Sequence, residues 1–331
     1  MNTTPGVASY YEQLLSQFDR IDAACATVWL GFEKVSCETP KAQRRDSFLQ
    51  TLSHLVTDDG SAPHSRLLVI FREDDEIPLA PIPWEWRSPR VGEAGVTCQY
   101  FGSSHSLLFW NETTKVHILV IAGVTEQLLT RPEYMRVVLQ GFLAELSLDS
   151  VHGGTLGNEK NGVLITNRGG SGKSSLVASG VLEGFHSIGD DFLLVDSRPS
   201  ADQKHELFSI FRTLKLAENS PSWSHYAPHL LEKGEDKDLF FLDSIATGSM
   251  TQRQQITAIV VPTVGAEFSF SPLDVDAVIA ALAPNSLGMG MHPARTLRAL
   301  RSLASDIPLF SMVVTPDLRP ALREITDLVH S

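Results

Sequence analysis

Hydrophobic and polar positions in the first 148 residues predict a helix followed by several strands. Tyr11, Leu14, Leu15 and Phe18 recur at the spacing of one helical face. Pro132 opens a second helical pattern. Apolar runs typical of strands occur between these helices, at 66–71, 96–101, 106–110 and 115–123. Four prolines within 78–90 exclude a regular element and predict a surface loop or linker there.

From about residue 148 the pattern changes to strand, glycine-rich loop, helix and strand, which is typical of α/β proteins. Further strand-like runs occur at 238–244, 257–264 and 309–315, and helical patterns at 274–284 and 292–306. We therefore predict a mixed α+β N-terminal domain over residues 1–148. An α/β domain is predicted over residues 149–331.

The composition limits the classes of partner that the chain can have. Of its 331 residues, 43% are hydrophobic and 20% are charged, which is ordinary for a folded globular protein. A formal net charge of −12 disfavours nucleic acid, because binding it requires a basic surface. There is no secretory signal, no apolar run of the ~20 residues that a membrane span needs, and no paired cysteine motif. We therefore expect a cytoplasmic protein with neither a nucleic-acid nor a membrane partner.

The segment GVLITNRGGSGKSSLVASGV predicts a strand, a glycine-rich loop and a helix. A loop that cradles phosphates needs converging backbone N–H groups, which Gly169, Gly170 and Gly172 permit. Lys173 can reach the β- and γ-phosphates, and the Ser174 hydroxyl can bind Mg²⁺. The sequence thus predicts an ATP and Mg²⁺ site whose nucleotide contacts come from Asn167, Arg168, Gly169, Gly170, Ser171, Gly172, Lys173, Ser174 and Ser175.

Asn167 stands where the phosphate-loop pattern G-x-x-x-x-G-K-[ST] has its first glycine. Asn is among the residues that best tolerate left-handed backbone angles. We therefore interpret Asn167 as a turn residue that replaces the glycine without loss of the loop.

Two acidic residues and a histidine flank the loop in sequence. Asp190 and Asp191 lie 17 and 18 residues after Lys173, at a predicted strand end, a distance that could place them beside the loop on a neighbouring strand. One carboxylate there could hold Mg²⁺, and the other could accept a proton from an attacking hydroxyl. His152 lies 21 residues before Lys173, and by itself a histidine in this position is more often structural.

Together, the stretches SVHGGTLGNEKNGVLITNRGGSGKSS and GFHSIGDD resemble the catalytic core of the HPr kinase family, which is related in fold to the phosphoenolpyruvate carboxykinases. The resemblance covers residues 150–196. It continues weakly through Lys215 and through the pattern RTLRALRSLASDIPLF. That pattern resembles the corresponding segment of HPr kinase-like enzymes of peptide-tailoring pathways. The resemblance implies an α/β P-loop core of the HPr kinase/phosphoenolpyruvate carboxykinase type for residues 149–331.

The resemblance also implies roles for the site residues. Lys173 and the loop amides would bind phosphates, Ser174 and Asp190 would hold Mg²⁺, and Asp191 would be the base. His152 would lie near the transferred phosphoryl group. The roles of the two aspartates could be exchanged, because their order in the chemistry is not readable from sequence.

Two departures from the family point away from HPr as the acceptor. HPr kinases commonly carry an acidic residue after G-K-S, and here the position is Ser175. The glycine-rich stretch expected for HPr docking is not recognisable either. The acceptor hydroxyl could then belong to a Ser or Thr of a peptide or protein, or to a small-molecule alcohol of a biosynthetic pathway.

Three functional classes remain open at this point. The first is an ATP-dependent kinase whose N-terminal domain recognises the acceptor or forms a homo-oligomer. The second is a nucleotide-binding regulatory or sensor protein without phosphoryl transfer, which would have no need of Asp191. The third is a switch or mechanical P-loop NTPase, which the acidic pair so soon after the loop disfavours.

Overall fold

The computed structural model describes residues 6–73, 77, 79, 90–198, 205–288 and 291–330. The chain divides into two compact units, Met1–Leu146 and Ser147–Ser331, so the division falls two residues before the sequence-based boundary. Most of the proline-rich stretch 78–90 lies outside the described residues. Within the described ranges, no helix combines the length and the apolar character needed to span a bilayer.

The first unit is built on an eight-stranded mixed sheet. Its strands are β1 (Ala24–Leu30), β2 (Glu33–Thr39), β3 (Val56–Thr57), β4 (Ser65–Phe71), β5 (Val91–Glu93), β6 (Val96–Phe101), β7 (Ser106–Asn111) and β8 (Val116–Ile121). They lie in the order β3-β1-β2-β4-β8-β7-β6-β5, and β4 is parallel to both of its neighbours. The helices are α1 (Val7–Phe18), α2 (Ala42–Leu49), α3 (Glu126–Leu129) and α4 (Pro132–Glu145).

Helices cover both faces of this sheet. Tyr10 and Tyr11 of α1 pack with Phe109 and other alternate residues of β4, β6, β7 and β8 on one face. On the opposite face, the ring of Phe142 in α4 lies 4.8 Å from that of His117 in β8. Since successive strand residues point to opposite faces, a strand covered on both sides is apolar at nearly every position. This explains the uninterrupted apolar runs that predicted β4, β7 and β8.

The second unit contains ten strands and five helices among its described residues. The strands are β9 (Leu148–His152), β10 (Gly154–Gly157), β11 (Asn161–Ile165), β12 (Phe192–Asp196), β13 (Glu206–Ser209), β14 (Thr213–Leu216), β15 (Asp238–Phe241), β16 (Arg253–Val264), β17 (Ser269–Pro272) and β18 (Leu309–Val314). The helices are α5 (Lys173–Leu182), α6 (Trp223–Tyr226), α7 (Val275–Leu287), α8 (Pro293–Ser305) and α9 (Arg319–His330).

Its main sheet runs in the order β10-β11-β16-β13-β12-β9. The far end of the long strand β16 also pairs with β18, and β17 extends the sheet beyond it. Strands β14 and β15 form a separate two-stranded sheet. Alternate residues of β11 and β16 face two different cores, one with α5 and α9 and the other with α7 and α8. The unit is therefore a sheet between helices on both faces.

Gly153 brings the two ends of the main sheet together. Strands β9 and β10 stand at opposite ends of the strand order, yet Gly153 alone separates them in sequence. Two residues span at most ~7 Å, so the two edges must meet at this point. A Cβ atom on Gly153 would lie 2.9 Å from the Ile165 carbonyl oxygen, so the close backbone approach requires glycine. The end of β9 is thereby placed next to the end of β11, where the glycine-rich loop begins.

Candidate functional site

The loop between β11 and α5 has the backbone geometry that its glycines permit. Gly170 has a φ of 80° and Gly172 a φ of 90°, in the left-handed region that favours glycine. Gly172 immediately precedes α5, so the helix begins at Lys173. A Cβ atom on Gly172 would also lie 2.9 Å from Val314 Cγ2. Gly172 therefore cannot be replaced without moving the start of the helix, whose N-terminal N–H groups face the loop.

The interpretation of Asn167 as a left-handed turn residue is wrong. Its φ is not positive. Instead, its side-chain Nδ2 donates a hydrogen bond of 2.8 Å to the carbonyl oxygen of Pro262 in β16. Its Oδ1 accepts one of 2.8 Å from the backbone N–H of Arg168. Asn167 thus attaches the start of the loop to the neighbouring strand, a role that glycine could not fill.

Lys173 is buried, and its ammonium group lies within the loop. Its Nζ donates hydrogen bonds to the carbonyl oxygens of Asn167 and Arg168, at 2.7 and 3.3 Å. Burial lowers the pKa of Lys173, whereas the charges of Asp190 and Asp191 act in the opposite direction. The charges of both aspartates therefore act on the Lys173 ammonium.

The acidic pair does not lie where the strand prediction put it. Asp190 and Asp191 immediately precede β12 instead of ending a strand, because Gly189, with a φ of 145°, interrupts the extended chain. Nor is β12 a neighbour of β11, since β16 and β13 stand between them. The pair reaches the loop through the Gly153 bend. Gly153 N donates to the Asp191 carbonyl oxygen at 3.3 Å, and Thr155 N donates to the Gly189 carbonyl oxygen at 3.2 Å.

Asp191 has a strained backbone. Its φ is 78°, and the N–H of Phe192 donates a 3.1 Å hydrogen bond to the carbonyl oxygen of Asp190. This i to i+2 bond around a central residue of positive φ defines the rarer and strained hand of γ-turn. Strain of this kind costs about 1–3 kcal/mol and is concentrated at functional sites. No sequence pattern indicated it.

The strained turn places Asp191 against His152. The distance between His152 Nδ1 and Asp191 Oδ1 is 3.2 Å. His152 Nε2 is buried and has no hydrogen-bond partner among the described residues. Burial lowers the pKa of His152, and the Asp191 charge opposes this shift. A neutral His152 that donates its Nδ1–H to Asp191 therefore keeps a free lone pair on Nε2.

The carboxylate of Asp190 is buried, and its hydrogen-bonding capacity is unused within the described residues. Neither of its oxygens has a hydrogen-bond partner within the described residues. Burial, together with the charge of Asp191, raises the pKa of Asp190 to about 6. Ser174 and Lys173 oppose this shift, although the Ser174 hydroxyl does not meet hydrogen-bond geometry with either oxygen. Gly154 allows this packing, because a Cβ atom there would lie 3.1 Å from Asp190 Oδ1.

The Asp190→Asn variant should unfold less readily than the wild-type protein at high pH. The pKa of Asp190 is 3.8 when unperturbed and about 6 in the fold, so the fold binds the proton more tightly than the unfolded chain does. The contribution of Asp190 to wild-type stability therefore falls between pH 4 and pH 6, by up to about 3 kcal/mol. The amide does not ionise, so the variant should recover up to this amount at pH 8 and nothing at pH 4.

Urea unfolding in EDTA at both pH values measures this difference. The Asp327→Asn variant, at an exposed position of α9, is the control and should follow the wild-type protein at each pH. A gain for Asp190→Asn that is equal at pH 4 and pH 8 would show that ionisation is not its cause.

A cavity of about 380 Å³ opens beside the loop and has a cationic lining. Lys173, Lys215 and Lys237 all line it, together with loop residues, and no described carboxylate does. Lys215 lies in β14, and Lys237 directly precedes β15. The segment between these strands is attached to α5, because the Ser220 hydroxyl donates a 2.9 Å hydrogen bond to that of Ser175. In a chain of net charge −12, three lysines around one cavity indicate an anionic ligand.

Lys237 lines this cavity, although the sequence did not single it out. It lies in the charged run GEDKD, which reads as an exposed turn. In the structure its charge lowers the pKa values of Lys173, His152 and Asp190. It forms no ion pair within the described part of the chain. Only the pairing of β14 with β15, which brings Leu216 opposite Asp238, places it at the loop.

If the cavity binds ATP, as the sequence predicts, the Lys237→Ala variant should bind it about fivefold more weakly. An exposed ammonium near a phosphate contributes on the order of 1 kcal/mol, and salt screens this contribution. Isothermal titration calorimetry at 50 and 300 mM NaCl should give a larger effect at the lower salt concentration. Lys160→Ala, at an exposed turn, is the charge-matched control. Equal ATP affinity of Lys237→Ala and wild type at low salt would remove Lys237 from the site.

The arginines that recur along α8 do not line the cavity beside the glycine-rich loop. Arg295 pairs with the buried Asp149 of β9, with a distance of 2.9 Å between Nε and Oδ2. Arg298 and Arg301 are exposed. The periodic arginines therefore belong to an amphipathic helix whose polar face is exposed or paired with Asp149.

The described residues contain no cluster of three or more His, Cys, Asp or Glu side chains that could hold a metal ion by itself. Mg²⁺ usually takes only one or two protein carboxylates and completes its shell with phosphate oxygens and water. The unpartnered carboxylate of Asp190 and the neighbouring Ser174 hydroxyl fit that donor set.

No protein-family model matches the chain, and no curated protein matches it. Among solved structures, the chain is distantly similar to the HPr(Ser) kinase/phosphatase from Coxiella burnetii. The two sequences are 13% identical, and the match covers 55% of this chain and 88% of that one, with a TM-score of 0.28. So low a score does not itself indicate a function, which has to follow from the residues of the site.

Proposed function

We propose that the chain is an ATP-dependent phosphotransferase that moves the γ-phosphoryl group of ATP to a hydroxyl. The acceptor would be a Ser or Thr of a peptide or protein, or a small-molecule alcohol. The proposal extends the resemblance of the loop and the acidic pair to HPr kinases, and it takes its support from the geometry of these residues.

The observation that carries the proposal is the strained turn at Asp191. A protein that only binds a nucleotide needs a phosphate loop, a lysine and at most one metal-binding carboxylate. A second carboxylate, held at a φ of 78° against His152 and within electrostatic reach of Lys173, is superfluous for binding. Such a carboxylate is what proton abstraction from an acceptor requires.

The environments of the two aspartates favour one assignment of their roles. Asp190 is completely enclosed, so it suits a metal ion bound at depth beside Ser174. Asp191 is 31% exposed, so an acceptor can approach it. In this assignment the Asp191 carboxylate accepts the acceptor proton while the acceptor oxygen bonds to the γ-phosphorus. The bond from that phosphorus to the β–γ bridging oxygen breaks, and ADP leaves.

The remaining residues bind and orient. The loop N–H groups and Lys173 hold the phosphates, and Lys215 and Lys237 add positive charge from the other side of the cavity. His152 fixes the Asp191 carboxylate through the contact at Nδ1. Mg²⁺, held by Ser174 and Asp190, would neutralise charge on the phosphate oxygens.

Transfer from γ-³²P-labelled ATP tests the proposal. The protein is incubated with Mg²⁺ and either a library of Ser- and Thr-containing peptides or a mixture of small alcohols. We expect label in an acceptor and ADP release that depends on that acceptor. ATP binding without acceptor-dependent ADP release in either set would instead support a nucleotide sensor.

A further inference from the structure

Three buried polar side chains lie on one face of the sheet in the first unit. Ser65 begins β4, and Trp110 of β7 pairs directly with His117 of β8. Ser65 lies two residues before Leu67, which pairs with His117, so all three share a face. They are 5%, 1% and 6% exposed, respectively.

Each of these side chains has one polar atom without a hydrogen-bond partner in the described part of the chain. Ser65 Oγ, Trp110 Nε1 and His117 Nδ1 each lack a hydrogen-bond partner there. Buried polar atoms are almost always hydrogen-bonded, so three exceptions on adjacent strands require an explanation. Burial lowers the pKa of His117 to about 4, so the imidazole is neutral at pH 7.

The three side chains line the same cavity, which has a volume of about 190 Å³. This is roughly tenfold the space that a single water molecule needs. The C-terminal end of α4 also borders the cavity through Glu145 and Leu146. Carbonyl groups at a helix C-terminus carry partial negative charge, so this end of the helix favours a cation.

The charged lining of the cavity is predominantly negative. Glu33, Glu112 and Glu145 contribute carboxylates, and Lys115 is the cation opposed to them. Arg90 shows that a cation is favoured here. Its guanidinium carbon lies 4.8 Å from the centre of the Trp110 ring, and its Nη2 lies 4.0 Å from Glu145 Oε1. A positively charged group therefore finds both an aromatic face and a carboxylate at this edge.

We propose that this cavity binds a small organic ammonium compound that also carries a hydrogen-bond acceptor. The ammonium group can donate to His117 Nδ1, to Ser65 Oγ and to the carboxylates, and the acceptor group can receive the indole N–H of Trp110. The site is independent of the glycine loop, and its existence does not rest on the proposed phosphotransferase function.

The indole N–H of Trp110 provides a direct probe. The chain has five tryptophans, so a ¹⁵N–¹H spectrum resolves few indole signals, and Trp110→Phe identifies the one that belongs to the cavity. The protein is titrated with ethanolamine, L-serinamide and L-lysinamide, with ethylene glycol as the neutral analogue. We expect a saturable shift of the Trp110 signal with at least one ammonium compound and none with ethylene glycol.

The second measurement is calorimetry on charge variants of the full chain. It does not depend on Trp110→Phe, so it remains usable if that variant does not fold. Glu112 is exposed, so Glu112→Gln should fold and should weaken binding of the responsive compound at least threefold. Glu12→Gln, on the exposed face of α1, should bind like the wild type. The proposal is overturned if no ammonium compound binds, if ethylene glycol binds equally well, or if Glu112→Gln has no effect.

Discussion

The Asp191→Asn variant should transfer phosphate about 10³-fold more slowly than the wild type while its Kd for ATP changes less than threefold. A positioned general base contributes 10²–10⁴-fold to a rate, and the amide cannot accept the proton. Asn tolerates left-handed backbone angles well, so the turn at a φ of 78° should persist. The substitution thus removes the base and leaves the fold in place.

Two measurements separate catalysis from binding in this variant. Rates of ³²P transfer to the acceptor give the first, and calorimetry with Mg²⁺ and ATP gives the second. Asp306→Asn, at an exposed position, should behave as the wild type in both. A transfer rate within tenfold of the wild type would show that Asp191 is not the base. Lost ATP affinity with retained turnover at saturating ATP would assign it to the metal instead.

The Lys173→Met variant should bind ATP about a hundredfold more weakly and should show no detectable transfer. Hydrogen bonds to a charged group contribute about 1.5–3 kcal/mol, and ~2.7 kcal/mol corresponds to a factor of a hundred in Kd. The ammonium is buried in the loop, where it bonds the carbonyl oxygens of Asn167 and Arg168. Methionine retains the aliphatic stem and therefore most of the packing at the start of α5.

Calorimetry with ATP, ADP and AMP checks this second expectation. The loss should be largest for ATP and smallest for AMP, because a lysine at this loop position serves the β- and γ-phosphates. Lys160→Met should leave all three affinities unchanged. An equal loss for AMP would indicate a disturbed loop instead of a lost phosphate contact, and an unchanged ATP affinity would contradict the proposed site.

Much of the local structure of this chain could be predicted from its periodicities. The helical spacing of Tyr11, Leu14 and Phe18 is confirmed in α1, and the apolar runs are confirmed in β4, β6, β7 and β8. The glycines before Lys173 correctly indicated a tight loop between β11 and α5. Hydrophobic periodicity and glycine content are properties of a few consecutive residues, so the structure they predict depends little on the rest of the chain.

The assembly of the site could not be predicted in the same way. The sequence pointed to Asp190 and Asp191 but placed them at a strand end beside β11, whereas they enter β12 through a strained turn. Asn167 was assigned a backbone role and has a side-chain role. Lys237 carried no motif at all. Each of these outcomes depends on contacts between residues that are distant in sequence.

The sequence by itself thus predicted many of the helices and strands and, apart from Lys237, the residues proposed for phosphate chemistry. Only the tertiary structure decided which of those residues meet. The decisive feature is Gly153, which joins the two ends of the main sheet and brings His152 and the acidic pair to the loop. Strand order and register are set by burial over the whole unit, so a local pattern cannot encode them.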